Sequence, residues 1–146
     1  MAAASGRTGT FRMERVRVLV VDDSPVMRAV VKGYLRSTGF EIDEAGDVAS
    51  ALRLCDACDY DVVVSDVTMP GLDGLDLVHA LDRRAVRPEV VLLTASSDLA
   101  RESAQRGVSL VGHECLAKPP AASDTVVLAV ERALRKKRDR DRMTAS

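Results

Sequence analysis

No stretch of this chain approaches the roughly 20 consecutive apolar residues that a membrane-spanning helix needs. The opening residues, Met-Ala-Ala-Ala-Ser-Gly-Arg-Thr-Gly-Thr, lack the apolar segment of a secretory signal. An excess of one charge is missing too: 21 basic against 22 acidic side chains leave a formal net charge of -1. That balance gives no global pull toward nucleic acid or an anionic membrane, so neither is expected as a partner. There are only three cysteines, an odd number, which argues against a disulfide framework and for a reducing, cytoplasmic setting. Repeats at the period of a solenoid are absent as well.

What is present is the profile of one soluble domain: 146 residues, 47% apolar and 29% charged. Residues 1–14, rich in Ala, Gly, Ser and Thr, read as a disordered tail, 15–138 as the folded domain and 139–146 as a C-terminal tail. Val16 to Val21 reads as a central strand, and Ser24-Pro25 then starts a helix with a cap and a proline at its first position. Val26, Val30 and Tyr34, with Met27, Val31 and Leu35 beside them, give that helix one broad apolar face, closed by Gly39. Phe40 to Ala45 is a second strand, and Asp47 caps a helix with a seam of Val48, Ala51, Leu52 and Cys55. Asp59 to Asp66, Leu75 to Arg84, Glu89 to Thr94 and Asp98 to Arg106 continue the alternation of strand and helix. The fifth strand lies within Val108 to Ala117, with Leu110-Val111 and Cys115-Leu116 as competing centres, and Ser123 to roughly Arg138 is a last amphipathic helix. Five strand–helix pairs in strict order predict an α/β doubly wound parallel sheet with right-handed crossovers.

In a flavodoxin-like strand order, 2-1-3-4-5, the first and third strands are neighbours at the topological switch point. Asp22 and Asp23 end the first of these and Asp66 the third, so three carboxylates converge at the carboxyl edge. Two such charges about 5 Å apart repel by roughly 3 kcal/mol at an effective dielectric of about 20. A cation or protons must relieve that, and a cluster of hard oxygen ligands without Cys or His suits Mg2+. Thr94 adds a hydroxyl at the end of the fourth strand, and Lys118 follows the fifth, just before Pro119-Pro120. Three acids, a hydroxyl and a lysine on one edge make a site for a phosphoryl group.

These residues carry a resemblance. Val-Leu-Val-Val-Asp-Asp-Ser-Pro-Val-Met-Arg at 18–28, Asp-Val-Thr-Met-Pro-Gly-Leu-Asp-Gly at 66–74, Leu-Thr-Ala at 93–95 and Lys-Pro at 118–119 resemble a response-regulator receiver domain, over about residues 15–137. The resemblance implies that Asp66 is the phosphoacceptor, taking the group from the phosphohistidine of a sensor histidine kinase or phosphotransfer protein. It implies Asp23, Asp66 and the carbonyl of Thr68 as direct Mg2+ ligands, with Asp22 acting through metal-bound water. Lys118 would pair with the phosphoryl oxygens, and Thr94 would move toward them and couple them to the surface of the fourth helix, fifth strand and fifth helix. The side chains of Thr68 and Ser96 would flank the group and influence its hydrolysis. Two departures stand out: where the family carries an aromatic a few residues before the lysine, the nearest match here is Cys115, with His113 beside it, and the segment from Gly107 to Lys118 fits the family's spacing poorly.

Other features read as structural. Cys55-x-x-Cys58 has no second cysteine pair or spaced His to make a zinc site, and Cys55 falls on a helix seam. His79 lies opposite its helix's apolar side, and His113 is assigned a local structural role. The run from Arg135 to Arg142 has no interleaved aromatics and alternates in sign at its end, so it reads as a solvated helix terminus. The expected function is a stand-alone receiver of the single-domain chemotaxis-regulator kind, a switch for a downstream protein target and not an enzyme on an external substrate. A receiver fragment of a longer regulator is the first alternative. An aspartyl-phosphate hydrolase of the haloacid-dehalogenase type is the second, opposed by Thr68 where that family needs an acid.

Overall fold

A computed structural model describes residues 15–120 and 122–145, so the tail assigned to residues 1–14 lies outside the described part. Five strands, β1 (Arg17–Val21), β2 (Glu41–Ala45), β3 (Val62–Asp66), β4 (Glu89–Thr94) and β5 (Glu114–Ala117), form one parallel sheet in the order β2-β1-β3-β4-β5. Between them run α1 (Pro25–Leu35), α2 (Val48–Ala57), α3 (Gly74–Asp82) and α4 (Leu99–Gln105), and α5 (Ser123–Ala145) closes the chain. The expected doubly wound topology is the one observed.

The central strands are apolar on both sides because each side faces its own core. Leu19, Val21, Val63, Val90 and Leu92 pack with α2 and α3 through Val48, Ala51, Leu75, Leu77, Val78 and Leu81. The intervening Val18, Val20, Val62, Val64, Val91 and Leu93 pack with α1 and α5 through Val31, Leu35, Val126, Ala129, Val130 and Ala133. Period-two alternation thus divides each strand between two hydrophobic layers.

Three sequence expectations are adjusted. On α1 the buried line is Val31 and Leu35, while Val26 is 71% exposed. Val26 belongs to the first turn, which directly follows the acid-bearing loop. The fifth strand is Glu114–Ala117, paired Leu92 to Cys115 and Thr94 to Ala117. Leu110 and Val111 precede it in a loop turned by Gly107 and Gly112, both at positive φ, a conformation glycine adopts without steric cost. The helix assigned to end near Arg138 runs on to Ala145, through residues placed in a tail. Arg140 binds the buried Glu89 carboxylate and the Arg87 carbonyl, and Lys137 pairs with Asp141 at i,i+4, so the added turns are anchored.

The α5–β5 contact also sets a pH dependence. Glu114 accepts from Arg132 at 2.9 and 3.1 Å and from Lys136 at 3.3 Å. The Arg132 bonds hold its carboxyl below the ordinary value of 4.5, outweighing the opposing effect of burial. A depressed folded pKa contributes stability that is present above the ordinary value and lost as pH falls through the folded one. Glu114→Gln is therefore expected to cost about 1 kcal/mol at neutral pH, with the gap to the parent closing below about pH 4.5. Urea unfolding at the two pH values checks this; a constant gap would contradict it.

Candidate functional site

Register brings the acids together. Val21 pairs with Ser65 across β1 and β3, so Asp22 and Asp66 leave the sheet at the same level, and Asp66 is level with Leu93 of β4. Asp22, Asp23 and Asp66 each place a carboxylate oxygen within 4.8 Å of the other two. Asp22 is 2% exposed and Asp66 4%, whereas Asp23 faces solvent. At that separation and an effective dielectric of about 20, each pair of charges repels by roughly 3 kcal/mol.

One intramolecular cation answers part of this. Lys118 Nζ donates to Asp66 Oδ2 at 2.7 Å and Asp22 Oδ2 at 3.1 Å. Burial works against its charge, but these two carboxylates outweigh it and raise the ammonium's pKa. Lys118 reaches the site because its backbone N–H continues the β5–β4 ladder onto the Thr94 carbonyl. Asp66 is held above the ordinary carboxylate range by burial first; the Lys118 hydrogen bond pulls it down and the Asp22 charge pushes it up.

The remaining contacts fix the acids in place. Asp22 Oδ1 accepts from Ser24 N at 2.9 Å, and Ser24 itself caps α1 by accepting from Met27 N. Asp66 Oδ1 accepts from Thr68 N at 3.3 Å. Asp23 accepts a hydrogen bond from no described residue, which leaves its carboxylate open to a solvent-borne partner. Behind Asp66 stands Gly74, the first residue of α3, whose N–H donates to the Val67 carbonyl at 2.8 Å. A Cβ there would lie 2.5 Å from the Asp66 carbonyl oxygen, so only glycine lets the helix start this close to the acid. The α3 start is braced by a capping box of Asp73 and Asp76, and Arg106 at the end of α4 grips both acids at 2.7–3.0 Å.

The candidate site residues Asp22, Asp23, Asp66, Thr68, Thr94 and Lys118 are all at this edge, but not all meet. Asp22, Asp23, Asp66 and Lys118 form one cluster, and Thr68 touches it through its backbone. The Thr94 hydroxyl instead accepts from Ser96 N at 3.0 Å, closing a turn in its own loop, and bonds to no acid of the cluster. Cys115 is exposed on β5, three residues before Lys118. His113 sits lower: its Nδ1 accepts from Val90 N at 3.3 Å and its Nε2 lies 3.0 Å from Asp82, the local structural role expected of it. Cys55 is buried in its helix seam. Arg28, which donates to the Asp22 carbonyl, was not singled out from sequence; its position one turn past the Ser24 cap, facing back to the strand end, was the available signal.

The donor set fits a hard divalent ion. Three carboxylates, one of them unpartnered and open to solvent, converge without nitrogen or sulfur ligands, which is the chemistry Mg2+ selects. Among the described residues, no helix is long and apolar enough to cross a membrane.

Residues 18–131 match the family model described as the response regulator receiver domain. The chain is 39% identical over 121 residues to the probable transcriptional regulatory protein TcrX of Mycobacterium tuberculosis, covering 83% of this chain and 50% of that protein. It is 37% identical over 99 residues to the chemotaxis protein CheY of Pseudomonas aeruginosa, covering 64% of this chain and 80% of the relative. Among solved structures, the chemotaxis protein CheY4 of Vibrio cholerae superposes with a TM-score of 0.73 at 28% identity, over 83% of this chain and all of that one. The chain spans about a third to a half of the length of several regulatory proteins it matches.

Proposed function

The chain belongs to the response regulator receiver domain family, and from that membership we propose that it is a stand-alone, phosphorylation-controlled interaction switch whose phosphoacceptor is Asp66. The observation that carries this reading is the Lys118 ammonium bridging Asp66 and Asp22 within a cluster that still has an open carboxylate on Asp23. An Asp66 carboxylate oxygen attacks the phosphorus of a phosphohistidine on a sensor kinase or phosphotransfer protein. The new O–P bond forms as the P–N bond breaks, and the departing imidazole keeps the bonding pair. Lys118, already beside Asp66 Oδ2, transfers its hydrogen bonds to the incoming phosphoryl oxygens. Asp23, Asp66 and the Thr68 carbonyl would hold Mg2+, with Asp22 acting through its water; bound there, the ion neutralises charge on the transferred group.

The added charge then biases two packings of the α4–β5–α5 face through Thr94, and a downstream protein binds one of them better. The chemistry ends on the protein's own side chain, so no external substrate is turned over; a small phosphate ester in excess is expected to survive incubation. Three free thiols accord with a cytoplasmic setting. The coverage of longer transcriptional regulators supports a second reading, in which this receiver is a fragment joined to an output module; the reading frame beyond Ser146 decides between them.

The direct test is incubation with a small acyl phosphate and Mg2+ followed by intact mass. One phosphoryl adduct, labile in mild base, is expected; no adduct would end the proposal. Lys118→Ala is expected to accept the group yet leave the amide chemical shifts of α4 and β5 at their unmodified positions. If those shifts move as they do in the parent, Lys118 does not couple the group to the surface.

A further inference from the structure

Arg28 lies in the second turn of α1 and reaches back across the end of β1. Its Nη1 donates to the Asp22 carbonyl at 2.6 Å, and its Nε donates to Glu44 Oε1 at 2.9 Å. Glu44 is itself held by Lys32 at 2.6 Å, so the guanidinium is gripped from β2 and cannot swing freely. The side chain is only 19% exposed. Over it passes Gly46, where a Cβ would lie 3.4 Å from Nη1.

We propose that Arg28 is a positioning residue for metal binding, acting on Asp23 through the Asp22–Asp23 peptide. The inference rests on the reading of the acid cluster as a Mg2+ site. A peptide unit is planar, so fixing the Asp22 carbonyl oxygen fixes the direction in which the Cα of Asp23 leaves it. Asp23 needs that help: its carboxylate has no hydrogen-bond donor among the described residues, and it stands between a buried Asp22 and the helix cap at Ser24. With Arg28 in place, the open carboxylate points where the other two acids converge. Without it, Asp23 must be ordered at the moment the ion binds.

Two effects of Arg28 on Mg2+ oppose each other, and their signs separate them. As a positive charge it repels a divalent cation, so removing it by charge alone should tighten binding. As an orienting group it preorganises a ligand, so removing it should weaken binding. Its pairing with Glu44 blunts the first effect. Loss of outer-shell orienting partners typically costs about tenfold or more in metal affinity. Orientation wins.

The test is calorimetric titration of the metal-free full chain with MgCl2 for the parent, Arg28→Met and Arg28→Lys, with the Asp23 amide followed by NMR before metal is added. The parent is expected to bind one ion. Arg28→Met should bind about tenfold more weakly, with the metal-free Asp23 amide shifted or broadened. Arg28→Lys keeps the charge but cannot span both the carbonyl and Glu44, and is expected to fall between. Urea unfolding in EDTA verifies that each variant is folded, and Arg28→Lys serves if Arg28→Met is not. Equal or tighter Mg2+ binding in the folded variants overturns the role of Arg28 while leaving the site intact. Absence of binding in the parent overturns the site itself, and the inference with it.

Discussion

Asp66→Asn incubated with a small acyl phosphate and Mg2+ is expected to yield no phosphoryl adduct, with the rate falling by roughly a thousandfold or more. The amide has the same shape but no anionic oxygen to attack phosphorus. Its neighbours are not expected to substitute: Asp22 is buried and tied by Ser24 N–H and Lys118, and Asp23 receives no ammonium bond among the described residues. Misfolding is not the cause to expect. Burial and the Asp22 charge raise the Asp66 pKa against the pull of Lys118. A raised folded pKa means the neutral form suits the fold, so the stabilising contribution is present at low pH and lost as pH rises through the folded value. At neutral pH the ionised carboxylate therefore costs stability, and the amide should unfold at no lower urea concentration than the parent. An adduct on Asp66→Asn at the parental rate would place the chemistry elsewhere.

Gly74→Ala is the second large effect, and it acts through backbone. The added methyl would lie 2.5 Å from the Asp66 carbonyl oxygen and 2.8 Å from the Val67 Cα, both main-chain atoms that cannot turn aside. Either α3 retreats and loses the Gly74 N–H bond to Val67, or the acid's strand end is pushed out of register with Leu93. Overpacking of this kind costs about 3 kcal/mol. Adduct formation should slow along with it, because the same displacement moves Asp66 relative to Lys118. Gly33→Ala is the matched control: nothing lies within 4 Å of a Cβ there, and the helix should gain up to about 1 kcal/mol. If urea midpoints put the two variants side by side, close packing at Gly74 is not what holds the strand end.

Much of this was legible in the chain itself. Apolar runs ending in Asp22-Asp23, Asp66 and Thr94 located three strand ends, because buried parallel strands must be nearly continuous hydrophobic runs. The cluster followed from adjacency of those ends. Other features were set by tertiary contact. Leu110-Val111 resembles a strand locally, but Thr94 pairs with Ala117, and the His113 ring caps the Val90 N–H where the β4–β5 ladder begins. The end of α5 depended on a Glu89–Arg140 bond spanning 51 residues, invisible to local periodicity. Arg28 gains a role only once the Asp22 carbonyl is seen within its reach. Thr94, placed at the site by its strand end, spends its hydroxyl on Ser96 in its own loop, a local bond that strand periodicity does not reveal.

A magnesium titration reaches the centre of all this most directly. In the parent, calorimetry should detect one ion per chain, and Asp23→Asn and Asp66→Asn should each abolish or severely weaken it. Parental binding that persists undiminished in both variants, or no binding in the parent at all, would mean that the carboxylates gathered at this sheet edge do not share a cation.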